Sequence, residues 1–99
     1  METLDSNSVY IQLSKAQEVL DAFPLIPEVE RLSVKVGPDS YGESALWLQI
    51  HVRADVSGTH DQIKRLTEFG REVQAKIFDK GITLFPYTSM EQAALEKTA

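Results

Sequence analysis

The sequence predicts a single α+β domain: a three-stranded sheet with two helices on one face, in the order helix, strand, strand, helix, strand. A length of 99 residues suits one domain spanning 1–99. Two segments alternate apolar and polar residues, as half-buried strands do, and two longer segments repeat apolar residues every three or four positions, as amphipathic helices do. These patterns predict a two-layer αββαβ sandwich with a mixed or antiparallel sheet. Residues 1–7 and 98–99 are expected to be flexible.

The first helix is predicted over residues 8–23. Either Ser8 is its N-cap, or Ser14 opens it, with Gln17 three positions later as in a capping box. Pro24 ends it, because the residue before a proline avoids the helical region. One face of this helix is apolar and consists of Val9, Leu13, Ala16, Leu20 and Phe23.

Two strands are predicted next, over residues 29–36 and 45–54. The segment 37–44 between them is rich in glycine, aspartate and serine, and its length indicates a hairpin. Apolar side chains alternate along both strands and predict one buried face, made by Leu32, Val34, Val36, Leu46, Leu48, Ile50, Val52 and Ala54.

The second helix is predicted from Thr59, whose capping-box partner is Gln62, to about Lys80, with Gly81 as its C-cap. Its buried stripe is predicted as Ile63, Leu66, Phe69, Gly70, Val73 and Ile77. Because glycine is costly in a helix, Gly70 indicates a close approach of this helix to the sheet.

A third strand is predicted over residues 82–87. Ile82 and Leu84 would face the core, and Pro86 would place the strand at a sheet edge or end it, since proline donates no hydrogen bond. A short final helix is predicted from Met90 to about Lys97, opened by Ser89 with Gln92.

The opposite, outer sheet face carries aromatic and basic side chains, and it is the predicted interaction surface. Exposed aromatic patches mark partner surfaces. One explanation is that the final helix folds back over the face with Met90, Ala94 and Leu95. The others are self-association across a two-fold axis and binding of a different protein. The predicted surface residues are Arg31, Lys35, Trp47, Gln49, His51, Arg53, Phe85 and Tyr87.

The amino-acid composition argues against two classes of partner, nucleic acids and membranes. The net charge of −5 repels nucleic-acid backbones and disfavours membrane surfaces. The chain has no cysteine, no run long enough to span a membrane and no signal-peptide pattern at its start, so a cytoplasmic location is expected.

A zinc site is the alternative prediction. His51 and His60 flank the turn between the second strand and the second helix, and Asp55 lies between them in sequence. Two histidines and a carboxylate hold zinc with one position open. Their spacing in the sequence does not show that the three side chains come together, however. If the protein does not bind zinc, we expect it to have no cofactor.

Catalysis has little support in the sequence. The serines fall at helix caps or in loops, not in a glycine-flanked nucleophile elbow. The carboxylates Glu28 and Glu30 are interpreted as solvated residues ahead of a strand. A small enzyme with its active site at an oligomer interface is therefore the third predicted function, after the interaction module and the zinc-binding domain.

Two resemblances follow from particular segments. Leu48-Gln49-Ile50-His51-Val52, an acidic turn and a helix resemble the cytoplasmic C-terminal domain of cation-diffusion-facilitator transporters over about residues 17–86. That resemblance implies paired domains and His51 as a zinc ligand, with His60 loosely matching a second. Leu84-Phe85-Pro86-Tyr87 departs from that family, which often has histidine or an acidic residue there.

The second resemblance rests on Gly42-Glu43-Ser44-Ala45-Leu46-Trp47 and Phe85-Pro86-Tyr87, which are similar to segments of small stand-alone bacterial proteins of unassigned activity. It implies an accessory protein. The sequence thus favours a non-enzymatic interaction module, an accessory or regulatory subunit, homodimeric through its outer sheet face.

Overall fold

The computed structural model describes residues 6–92, which form two helices and three strands in the predicted order. Of the segments expected to be flexible, residues 1–5 and 98–99 lie outside the described part, whereas residues 6–7 belong to the first helix. The elements are α1 (Ser6–Ala22), β1 (Val29–Pro38), β2 (Ser44–Val52), α2 (His60–Asp79) and β3 (Pro86–Gln92). The predicted α+β fold is confirmed.

The sheet is mixed and has the strand order β1-β2-β3. β1 and β2 form the predicted antiparallel hairpin, while β3 runs parallel to β2 because α2 returns the chain to the same end of the sheet. Asp39 shapes the hairpin tip: its Oδ1 accepts hydrogen bonds from the backbone N–H groups of Tyr41 at 2.8 Å and Glu43 at 3.0 Å. Gly42 follows with φ of +79°, which glycine adopts without strain.

Both helices pack on one face of the sheet, which we call the inner face. Its centre is the apolar side of β2, and Phe23, just after α1, meets Phe69 of α2 edge-on at 5.4 Å. Gly70 is buried where α2 packs on β2, and a Cβ added there would make an ordinary van der Waals contact of 3.4 Å with Cδ1 of Ile50, so the space itself does not require glycine. The core includes Ala16, Val19, Leu20, Leu46, Leu48, Ile50, Val52, Leu66, Val73, Ile77, Ile82 and Leu84.

The limits of α2 follow its sequence signals. Thr59 and Gln62 form the predicted capping box. The C-cap is Lys80, and Gly81, predicted as the C-cap, is the next residue, with φ of +73°. Ile63, predicted to be buried, is 54% exposed. It lies in the first turn, and the buried stripe begins only at Leu66.

The predicted start of α1 is wrong. The helix already includes Ser6, so Ser8 and Ser14 both lie within it. A serine cap contributes only about 1 kcal/mol, and the apolar stripe that packs on the sheet outweighs that local preference. The predicted end before Pro24 is confirmed.

The third strand lies later in the chain than predicted. Residues 82–85 are not a strand: the backbone N–H groups of Thr83 and Leu84 donate to Oε1 of Gln12 in α1, at 2.8 and 3.0 Å. β3 begins at Pro86, which confirms the edge position.

The predicted final helix is wrong over Met90–Gln92, which pair with β2, and residues 93–97 lie outside the described part. Hydrogen bonding to a neighbouring strand therefore overrides the capping-box spacing of Ser89 and Gln92. β2 itself ends at Val52, two residues earlier than predicted, and Ala54 lies in the following turn.

Glu28 is buried, contrary to the prediction that it is solvated. Its Oε2 accepts hydrogen bonds from Nε of Arg65 at 2.6 Å and from Nη2 of the same guanidinium. That hydrogen bonding lowers the pKa of the Glu28 carboxyl below its ordinary value of 4.5, against the opposing effect of burial. The pair ties the entry of β1 to α2.

Candidate interaction surface

The outer face presents three cross-strand rows, because residues paired in register lie on the same side of a sheet. Within residues 6–92, both helices pack on the inner face and neither covers the outer one. The rows, each read from β1 through β2 to β3, are Lys35, Trp47 and Tyr87, then Ser33, Gln49 and Ser89, then Arg31, His51 and Glu91.

Four aromatic rings form a continuous strip from this face around the sheet rim to α2. Trp47 and Tyr87 stack with ring centroids 4.8 Å apart and planes 20° apart. Tyr87 contacts Phe85 at 4.7 Å, and Phe85 meets Phe78 of α2 at 6.0 Å. Phe78 and Phe85 are each 50% exposed, so the strip presents apolar area to solvent. We call these four residues the aromatic strip.

Hydrogen bonds hold two of these rings in place. The Trp47 indole N–H donates to the carbonyl oxygen of Gly37 at 3.2 Å, and the Tyr87 hydroxyl donates to Oδ2 of Asp39 at 3.3 Å. A Cβ added to Gly37 would lie 3.3 Å from the indole, so glycine leaves room for the ring. The orientations of the Trp47 and Tyr87 rings are therefore fixed by contacts within the chain.

The surroundings of the Tyr87 hydroxyl raise its pKa. Burial raises the pKa of Tyr87 above its ordinary value of 10.0, and the negative charge of Asp39 together with the hydrogen bond raises it further. The hydroxyl is therefore a neutral donor across the physiological range. Because deprotonation would break the bond to Asp39, the stability that this bond contributes is expected to be complete below the ordinary tyrosine pKa of 10.0 and to be lost in alkali, as the pH rises through the raised pKa.

The other end of the outer face is polar. Nε2 of His51 lies 2.8 Å from Oγ of Ser33, which in turn donates to Oε1 of Gln49 at 3.3 Å. Nδ1 of His51 lies 3.7 Å from Oε2 of Glu91, an ion pair when the imidazole is protonated. An open depression of about 450 Å³ lies beside them, lined by Glu30, Arg31, His51, Val52, Glu91 and Gln92.

Serine, histidine and carboxylate in this order have the connectivity of a hydrolase triad. Acyl transfer also needs N–H donors aimed at the reacting oxygen. The backbone N–H of Ser33 is instead directed into the ladder, opposite Gln49. The contacts among these side chains are cross-strand polar pairs on an open sheet.

The structure brings most of the predicted surface residues onto one face. Phe85 lies just before β3 and reaches the outer face through its ring contact with Tyr87. Arg53 lies just after β2, where it pairs with Asp55 at 3.2 Å. Met90, predicted to cover the outer face, is opposite Ile50 in the register and so lies on the inner side, while Ala94 and Leu95 lie outside the described residues.

The predicted zinc ligands are not clustered. Over residues 6–92, the structure contains no group of three or more histidine, cysteine, aspartate or glutamate side chains placed to hold a metal. His51 contacts Ser33 and Glu91, whereas His60 begins α2 and lines a separate groove with Ile63 and Lys64. The carboxylate of Asp55 accepts a hydrogen bond from Nε of Arg53.

The sequence did not indicate two parts of this surface. Phe78 lies beside the buried stripe of α2, and only its 50% exposure in the structure shows that it is not part of that stripe. Asp39 was interpreted as a loop residue, although it both closes the hairpin and accepts from Tyr87 across the sheet. That contact depends on the parallel placement of β3, which no local pattern reveals.

No protein-family model matches the chain, and the curated proteins include no significant match to it. The two resemblances seen in the sequence therefore stay predictions. Neither helix within the described segment is long and apolar enough to cross a membrane.

Proposed function

We propose that the protein is a non-enzymatic interaction module, an accessory or regulatory subunit, that contacts its partner through the outer sheet face. The aromatic strip carries this proposal. Trp47 and Tyr87 are residue types that dominate binding energy at interfaces, and here they are held by hydrogen bonds on a face that no described helix covers.

The partner we propose first is a second copy of the chain, packed face to face about a two-fold axis. Such packing adds buried area to a small domain, and two-fold dimers are the commonest oligomers. Gln49 lies in the middle row of the central strand. An axis through the middle of the face would therefore bring the two Gln49 side chains close together.

This geometry defines a sharp test. Gln49→Glu keeps the oxygen that accepts from Ser33 but places two like charges at the proposed axis. Light scattering after size-exclusion chromatography should give the wild type a mass above the 11.1 kDa of one chain, and the variant a smaller mass at equal concentration. Lys15→Glu, which changes an exposed residue of α1, is the matched control and should leave the mass unchanged.

Trp47→Ala extends the test to a different partner protein. It should weaken both the self-association and any complex recovered from the native host, whereas Tyr10→Ala, at an exposed aromatic residue of α1, should weaken neither. Unchanged mass and unchanged partners in Trp47→Ala and Gln49→Glu would end the proposal. Calorimetric titration with zinc tests the alternative role: micromolar binding abolished by His51→Ala would favour a metal-binding domain instead.

A further inference from the structure

The outward edge of β3 is left without a neighbouring strand. The backbone N–H of Leu46 donates to the carbonyl oxygen of Phe85 at 2.9 Å, so odd-numbered residues of this segment bond to β2. The backbone groups of Thr88 and Met90 therefore point away from the sheet. Within residues 6–92, no strand lies beyond β3.

The start of this edge is already closed. Pro86 has no N–H, and its carbonyl oxygen accepts from Nε2 of Gln74 in α2 at 2.7 Å. The open part thus begins at Thr88, and the side chains from Thr88 to Gln92 are exposed. β3 is thus a short extended strand that is paired with β2 on one side and, among the described residues, has no strand on the other.

The two sheet edges differ in how they are protected. Natural edge strands discourage pairing with lysines, prolines and bulges. β1 has an irregularity between Val29 and Arg31, carries Lys35 and ends in Pro38. β3 has an unbroken register with β2, no basic residue, and Glu91 as its one charged side chain.

We infer that the β3 edge is a second interface, at which β3 pairs antiparallel with β3 of another copy of the chain. A strand edge is self-complementary under a two-fold axis. With the axis at Ser89, Thr88 lies opposite Met90 of the other copy and exchanges both backbone hydrogen bonds with it. Glu91 then lies opposite Tyr87 rather than opposite the other Glu91, so no like charges meet.

This inference goes beyond the proposed function. The edge interface does not depend on that function, and only the larger assembly rests on it. Edge pairing alone would give a dimer with a continuous six-stranded sheet. Combined with face-to-face packing, it would give a tetramer of two such sheets, provided that the two axes intersect at right angles. The two interfaces use different atoms, the outer side chains and the edge backbone, so variants separate them.

The test uses Met90→Pro, which removes an outward N–H without removing a bond to β2, with Met90→Ala as the control for the side chain. Light scattering should show that Met90→Pro halves the wild-type mass and Met90→Ala leaves it unchanged. A wild-type mass of 11.1 kDa, or equal masses for wild type and a folded Met90→Pro, would overturn the edge interface.

Amide hydrogen exchange on the wild type makes the test independent of the folding of the proline variant. The N–H groups of Thr88 and Met90 should exchange about ten-fold or more slowly at high than at low protein concentration. Fast exchange at every concentration would contradict the edge interface. Gln49→Glu distinguishes the two proposals, because it should keep this protection while losing face-to-face packing. An unchanged mass in Gln49→Glu together with a halved mass in Met90→Pro would support the edge interface and contradict the face-to-face dimer.

Discussion

Trp47 and Tyr87 lie opposite each other on the parallel strands β2 and β3, and their rings stack on the outer face at 4.8 Å. Trp47 is the only tryptophan of the chain, so its fluorescence reports on this surface alone. The half-buried state of the indole depends on the ring beside it. The stack therefore offers a direct optical measure of the proposed interface.

We expect Tyr87→Ala to shift the Trp47 emission to longer wavelength, because the indole loses the neighbouring ring and meets more water. Tyr87→Phe should keep the emission near that of the wild type and lower the free energy of unfolding by about 0.5–1.5 kcal/mol, since only the hydrogen bond to Asp39 is lost. Identical emission in wild type and Tyr87→Ala would contradict the stacked geometry.

The Glu28–Arg65 pair predicts a dependence of stability on acid pH. The pKa of Glu28 is lower in the folded than in the unfolded chain, so the pair contributes fully above pH 4.5, and the contribution falls as the pH drops through the folded pKa. Arg65→Ala should lower the urea midpoint at neutral pH, because it leaves a buried carboxylate without its partner.

Urea denaturation from neutral pH to below pH 4 measures this effect. The difference between wild type and Arg65→Ala should shrink as Glu28 becomes protonated. Arg71→Ala, at another exposed arginine of α2, provides the control and should show little difference at any pH. A constant gap between wild type and Arg65→Ala over this range would contradict the assignment.

Gln12 is predicted to be a structural residue despite its polar character. Its Oε1 accepts from the backbone N–H groups of Thr83 and Leu84, which no strand satisfies. Gln12→Ala should reduce the free energy of unfolding by about 1–3 kcal/mol, because those donors lose their partner. Gln17→Ala, on the same helix, removes a hydrogen bond to exposed Asp21 and should cost less than about 0.5 kcal/mol. Chemical denaturation of the two variants compares them directly.

Gly70 tests how closely α2 approaches the sheet. A Cβ at this position would lie in ordinary contact with Ile50 at 3.4 Å, so one methyl group fits. Gly70→Ala should therefore stabilise the fold by up to about 1 kcal/mol through helix propensity, whereas Gly70→Leu should destabilise it by about 1–3 kcal/mol through overpacking. Thermal unfolding of both variants decides the matter, and a strongly destabilised Gly70→Ala would mean that the helix lies closer than described.

The candidate surface shows how far local patterns reach. Alternation along β2 placed Trp47, Gln49 and His51 on the face opposite Leu48 and Ile50 without any structural information. The same reasoning could not find the bond from Tyr87 to Asp39, because those residues are far apart in sequence and meet only when β3 pairs parallel with β2. Nor could it find the burial of Glu28, since its partner Arg65 belongs to a different element.

Hydrophobic periodicity and turn chemistry by themselves determined the class of the fold, the order of its elements, the hairpin, the capping box of α2 and the apolar face of β2. These features depend on neighbours within a few residues, and the chain encodes them locally. Tertiary structure decided where β3 begins and how far it runs, because Gln12 replaces strand pairing at residues 83–84 and the free side of β2 continues the ladder through Gln92. Contacts between distant segments satisfy backbone groups there, and they override the weaker local preference for a helix.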